Sequence, residues 1–171
     1  MMSKRYGRFL DLLSRVSRGL SDAVRDRLRE LHRVRGHRGD TRLEHCVKTA
    51  YLCYRLAGTL GVDGLKAVRA GLLHDVGYGI PGCPLCRLDP GGHCGICHWR
   101  TGAQLLAREG EDPEIVAAVR RHMFPYGPPP RSRLDWCVWW SDKLEVLLTS
   151  LGREVLPREA LDRALRILLR P

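Results

Sequence analysis

With 171 residues, 44% apolar and 28% charged, the chain has the composition of one globular domain that can bury a core without covalent staples. Aromatics at 6% and scarce β-branched runs argue against a sheet. No stretch has the length needed to span a bilayer and no apolar signal-peptide core follows the basic start, so a cytoplasmic location is expected.

The formal charge of +10 is uneven: residues 1–42 hold 12 Lys/Arg against 5 Asp/Glu. Such an arm can attract nucleic acid or anionic substrates. It can equally reflect an arginine-rich composition, since only four of the 29 basic residues are lysine. Charged amphipathic helices are predicted over 8–18 and 21–35, the second capped by Ser21 and Asp22. After a break at 36–40, Thr41-Arg42-Leu43-Glu44 is a capping box opening a long helix to about Leu60. Its stripe Leu43, Cys46, Val47, Ala50, Tyr54 and Ala57 lies opposite His45, Leu52 and Leu56. A helix apolar on two sides belongs at the centre of its bundle. The next helix, about 63–75, buries Leu65, Val68 and Leu72. It sets His74 above Ala67, Ala70 and Gly71, small residues that admit a neighbour. It ends near Gly77-Tyr78-Gly79.

Residues 80–97 are rich in Gly, Pro and Cys and show no periodicity. Helices follow over 98–108, from Asp112 and Pro113 to Met123, over 134–151, and from Pro157 to the end. Between them Phe124–Arg133 is a stiff loop, and Met123-Phe124-Pro125-Tyr126 either walls a pocket or anchors an ordinary loop by its aromatics. The fold class is all-α, about eight helices around one core.

The residues that suggest chemistry are His45, the doublet His74-Asp75, His98, His122 and Asp142. Apart from the doublet, each stands on a different predicted helix, and a bundle can converge such side chains on one interior point. Singly, each has an ordinary explanation as a cap, a helix end or a satisfied core residue. As a set they place imidazoles and carboxylates on apolar faces, where a buried carboxylate demands a cation or several donors. Four imidazoles and two carboxylates suit divalent iron, manganese, zinc or cobalt, and six ligands suit two such ions better than one.

This order of residues resembles the HD-domain superfamily of metal-dependent phosphohydrolases. The strings Arg42-Leu43-Glu44-His45, Gly71-Leu72-Leu73-His74-Asp75-Val76-Gly77, His98-Trp99-Arg100-Thr101-Gly102-Ala103, Arg121-His122-Met123 and Ser141-Asp142-Lys143 carry the likeness across about 41–151. The resemblance implies an HD helical bundle over 41–171; the basic helical segment at 1–40 precedes it, and the Cys-rich metal-binding insertion at 80–97 departs from the plain family pattern. It also implies the dinuclear branch of the family. One metal would sit on His45, His74, Asp75 and Asp142, a second on Asp75, His98 and His122, with Asp75 as the bridge. The implied reaction is hydrolysis of a phosphoester or phosphoanhydride of a nucleotide or small phosphorylated metabolite by a metal-activated hydroxide. Arg42 and Lys143, next to ligand positions, are candidate phosphate contacts, with plain surface charge as the alternative.

Seven cysteines, four of them in C-x-x-C pairs, point to metal rather than disulfides. Cys83-Pro84-Leu85-Cys86 and Cys94-Gly95-Ile96-Cys97 can wrap one tetrahedral structural zinc. His93 replacing a thiolate, an iron–sulfur cluster and a redox dithiol pair are the alternatives. Cys46, Cys53 and Cys137 read as buried apolar residues.

Two other functions are compatible with the sequence. A mixed-valence di-iron site of the same ligand set would support oxygen-dependent cleavage. A non-catalytic nucleic-acid-binding or regulatory module would use the basic arm and the zinc knuckle. Membrane partners are not expected, and the sequence does not give an oligomeric state.

Overall fold

The structure is a computed structural model that describes residues 4–36, 39–88 and 95–170. Eight α-helices are present among them: α1 Lys4–Arg18, α2 Asp22–Leu31, α3 Arg42–Leu60, α4 Gly64–Leu73, α5 His98–Arg108, α6 Pro113–Arg121, α7 Arg133–Ser150 and α8 Arg158–Leu169. No β-strand forms among the described residues. There is one isolated antiparallel bridge, Arg35 to Thr41.

Local chemistry sets the helix ends. Thr41 Oγ1 accepts from the Glu44 N–H at 3.2 Å, and Glu44 Oε2 accepts from the Thr41 N–H at 2.6 Å, closing the predicted capping box. Ser132 and Asp135 form a second box at the start of α7. Gly61, at φ 64°, ends α3 in the left-handed conformation. Several helices are shorter than their periodicity suggests. The α2 helix stops at Leu31 because the chain turns extended: the Gly36 N–H reaches the Asp40 carbonyl at 2.7 Å, and that of Arg42 reaches Val34 at 2.8 Å. The α4 and α6 helices stop at Leu73 and Arg121, leaving His74 and His122 as C-caps. Pro157 caps α8 rather than beginning it, and α1 starts at Lys4 rather than at residue 8.

The α3 helix is central and packs against α4 and α7. Leu43, Cys46, Val47, Ala50 and Ala57 are buried on its predicted stripe, and His45 and Leu52 on the other side. The N-terminal helices join the same core: Phe9, Leu13, Val24, Leu28 and Leu31 cluster with Leu161 and Leu168 of α8 and with residues of α3 and α4. Part of the N-terminal basic charge works internally. Arg27 of α2 donates to the carbonyls of Val76 at 3.4 Å and Tyr78 at 2.7 Å, bracing the turn that follows His74-Asp75.

The predicted small face of α4 meets α3 at contact distance. A Cβ on Gly71 would lie 2.7 Å from Cys53 Sγ and 2.8 Å from Ala50 Cα. Gly58, also in a helix interior, has nothing within 4 Å. Gly71→Ala is therefore expected to destabilise by about 1–3 kcal/mol through overpacking. Gly58→Ala should instead stabilise by up to about 1 kcal/mol through helix propensity. Denaturant melts of the two variants check the contrast, and equal effects would deny the close approach at Gly71.

Candidate metal centre

The structure brings all six expected side chains to one interior point. His74 and His122 are fully inaccessible, and His45, Asp75, His98 and Asp142 are buried. His45 projects from the first turn of α3, His98 from the first residue of α5 and Asp142 from the middle of α7. His74-Asp75 and His122 stand at the C-terminal ends of α4 and α6.

Three of the imidazoles are held by one local device. His74 Nδ1 donates to the Gly71 carbonyl at 2.8 Å, His98 Nδ1 to Gly95 at 2.7 Å and His122 Nδ1 to Val119 at 2.7 Å. Each acceptor lies three residues earlier. At the ends of α4 and α6 these carbonyls have lost their helical donors, and the imidazole takes the place of the missing N–H. His45, inside a helix, has no such carbonyl. Its Nδ1 bonds Glu145 Oε2 at 2.6 Å instead, and Glu145 Oε1 accepts from the Thr149 hydroxyl at 2.8 Å. Glu145 is 1% exposed and was not among the sequence candidates. Its position one turn after Asp142 on the same helix was the available signal.

With every Nδ1 committed as a donor, each neutral ring presents an Nε2 lone pair to the centre. His45 Nε2 and His74 Nε2 lie 3.1 Å apart, and His98 Nε2 and His122 Nε2 2.9 Å apart. Lone pair facing lone pair is repulsive, so the array requires extra protons or a cation between the nitrogens. Asp75 stands between the two pairs. Its Oδ2 lies 3.5 Å from His74 Nε2 and 3.7 Å from His45 Nε2, while Oδ1 lies 2.9 Å from His98 Nε2 and 3.5 Å from His122 Nε2. Asp142 Oδ1 lies 3.2 Å from His45 Nε2. Two groups of ligand atoms thus form around one shared carboxylate: His45, His74 and Asp75, and Asp75, His98 and His122. This donor set fits divalent transition metals.

Arg42 donates to Asp75 Oδ2 at 3.1 Å, and its guanidinium lies 4.0 Å above the centre of the Tyr78 ring. Lys143 Nζ donates to Asp142 Oδ2 at 2.6 Å. Both residues expected to meet phosphate therefore sit on carboxylates of the expected ligand set. A Cβ on Gly77 would collide with the backbone of His98 and Gly102. The turn after the doublet consequently lies directly against the start of α5. The insertion places Cys83, Cys86 and Cys97 together, while Cys94 and His93 lie outside the described residues.

Burial and charge set the protonation of the centre. Burial alone would deprotonate His45. Its hydrogen bonds to Asp142 and Glu145, with the Asp75 charge, outweigh burial and raise its pKa to about 10. His74 has no such partners, and burial lowers its pKa to about 4 against the pull of Asp75 and Asp142. Burial opposes ionisation of Asp75 and Asp142, but the surrounding histidines hold both well below the usual carboxylate range.

The family model for the HD domain matches residues 42–147. The chain is 35% identical over 124 residues, 72% of its length, to Ribonuclease Y of Desulfotalea psychrophila. It is 33% identical over 144 residues, 82% of its length, to Ribonuclease Y of Cutibacterium acnes. A third relative, Ribonuclease Y 2 of Bdellovibrio bacteriovorus, is 37% identical over 84 residues, 49% of the chain. The matched regions are 22%, 24% and 14% of those proteins, so the chain spans about a fifth of the length of the relatives it matches.

The two shifted histidines fix a pH profile for the metal-free protein. Raised from 6.5 to about 10, His45 gives stability that is full below 6.5 and lost as pH rises toward 10. Lowered from 6.5 to about 4, His74 gives stability that is full above 6.5 and lost as pH falls toward 4. Melting temperature should therefore peak near 6.5 and fall on both sides. Manganese binding at pH 8 should release a proton from His45, read by calorimetry in buffers of different ionisation enthalpy. A binding heat independent of buffer would contradict the protonated His45.

Proposed function

The chain belongs to the HD-domain family of metal-dependent phosphohydrolases, and on that premise we propose that it hydrolyses phosphodiester bonds of ribonucleotides or short RNA at a dinuclear centre. The observation that carries this reading is Asp75, whose two carboxylate oxygens face different histidine pairs. In this reading residues 41–171 are the HD domain, 80–97 its Cys-rich insertion and 1–40 an N-terminal helical segment packed against it.

His45, His74, Asp75 and Asp142 would hold one ion, and Asp75, His98 and His122 the other. When bound, a pair of divalent ions lowers the pKa of water toward neutrality and neutralises phosphoryl oxygens. The protein's own part is positioning. The carbonyls of Gly71, Gly95 and Val119 and the carboxylate of Glu145 fix the ring tautomers, so that Nε2 faces inward in all four histidines. Arg42 and Lys143 each spend one donor on a ligand carboxylate. Guanidinium and ammonium groups carry further N–H donors, which suit phosphoryl oxygens.

An RNA substrate is supported by the relatives named Ribonuclease Y. It is also supported by the aromatic group on α7, the helix that carries Asp142. Trp139 packs edge-on against Trp136 at 5.7 Å and Trp140 at 4.8 Å, and its indole N–H donates to the Phe124 carbonyl at 3.1 Å. Trp136 and Trp140 are exposed, as are Phe124 and Tyr126. Exposed aromatics on a basic protein suit stacking of unpaired bases.

Assays with manganese on bis(p-nitrophenyl) phosphate and on a short unstructured RNA test the reading. Both should be cleaved, and Asp75→Asn should abolish both activities and lose both ions. Trp140→Ala should raise the KM for RNA while leaving hydrolysis of the small diester unchanged. A protein that retains iron, consumes oxygen and leaves both diesters intact would establish oxygen-dependent cleavage instead. Hydrolysis restricted to phosphomonoesters would retain the metal chemistry and refute the substrate.

A further inference from the structure

Among its described residues the insertion has no hydrophobic core of its own. Leu85, Leu88 and Ile96 are 53%, 79% and 42% exposed, whereas Cys86 and Cys97 are buried. A segment that turns its apolar side chains outward and its sulfurs inward needs another source of order.

The sulfurs supply it. Residues Pro84–Arg87 form a 3-10 turn capped by Cys83. At three residues per turn, positions i and i+3 eclipse, which puts Cys83 and Cys86 on one side. Their Sγ atoms lie 3.8 Å apart, and Cys86 Sγ lies 3.3 Å from Cys97 Sγ. A tetrahedral zinc with Zn–S bonds of ~2.3 Å spaces its sulfurs ~3.8 Å apart. The Gly82 N–H points at Cys86 Sγ from 3.4 Å, a donor suited to thiolate charge. A Cβ on Gly82 would strike Thr101 and lie 3.2 Å from Cys97 Sγ, so the glycine keeps the cluster tight against α5.

We infer that Cys83, Cys86 and Cys97 are thiolate ligands of a structural zinc ion that sets the position of His98 and thereby controls loading of the second metal position. Cys94 and His93, which the spacing offers for the remaining position, lie outside the described residues. Cys97 is the N-cap residue of α5, and His98 is its first residue. Two residues before Cys97, Gly95 takes φ 65°, a conformation that favours glycine, and its carbonyl receives His98 Nδ1 at 2.7 Å. The same short stretch thus carries a sulfur ligand and aims the imidazole. Fixing the sulfur fixes the ring. The coupling rests on His98 being a ligand of the dinuclear centre, whereas the thiolate site does not.

Elemental analysis of the whole chain beside Cys86→Ser and His98→Ala tests both halves. The unmodified protein should hold one tightly bound zinc that survives His98→Ala and is absent from Cys86→Ser. Cobalt in its place should give a thiolate-to-metal charge-transfer band, also absent from Cys86→Ser. In that variant the manganese affinity of the second position should fall about 10–100-fold, as for loss of a group that orients a ligand, with the first position unaffected. Should Cys86→Ser fail to fold, releasing zinc from the unmodified protein with a thiol-directed mercurial provides the same two readings. A chain without zinc, or with iron and sulfide, or with these cysteines oxidised to a disulfide, overturns the site. Loss of zinc with unchanged second-position affinity overturns the coupling. A protein that binds zinc but nothing at His98 refutes the dinuclear reading while leaving the thiolate site intact.

Discussion

Burying four imidazoles and three carboxylates inside a bundle of this size is the constraint on which the rest of the structure depends. Each carboxylate brought out of water costs several kcal/mol unless it is paired. Here none stands alone: Asp75 meets Arg42 and both histidine pairs, Asp142 meets His45 and Lys143, and Glu145 meets His45 and Thr149. The Nε2 atoms remain, paired so closely that each pair needs an extra proton, as His45 carries, or a cation between its rings. A site that is strained toward accepting positive charge is one prepared for cations.

The means of holding these rings is economical in structural terms. Helix ends leave carbonyls without donors, and a histidine at or just beyond the end satisfies one while aiming its other nitrogen inward. The same ending that terminates α4 and α6 therefore builds the site. Neighbouring elements then lock the ends in place. Arg27 ties α2 to the turn after the doublet, and Gly77 lets that turn approach the backbone of α5. The N-terminal helices share the core and brace the centre, which accounts for part of the basic charge that composition alone would leave to solvent or to nucleic acid.

The insertion extends this logic to a second kind of chemistry. Its described apolar side chains gain little from burial, and its sulfur atoms pack beside the first turn of α5. Because Cys97 and His98 are adjacent, the small sulfur cluster and the large nitrogen–oxygen cluster share backbone. A single peptide unit separates the two.

By itself the sequence determined the helical class, the central place of α3, the small face of α4 and the residue types of the centre. These are read from periodicity, caps and spacing, which are local properties of the chain. The order His45, His74-Asp75, His98, His122 and Asp142 carries the family likeness in the sequence alone. Only the tertiary structure decided which oxygen of Asp75 faces which pair, that Glu145 supports His45, and that Arg42 sits on Asp75. His45 and Glu145 are 100 residues apart and Arg42 and Asp75 are 33 apart. No helical or turn period links such positions, because their contact is fixed by how α3, α4 and α7 pack rather than by how any one of them forms. The helix ends show the same division. Periodicity continued α4 toward Asp75, but in the fold the His74 ring takes the Gly71 carbonyl and the helix gives way to the turn that carries the shared carboxylate.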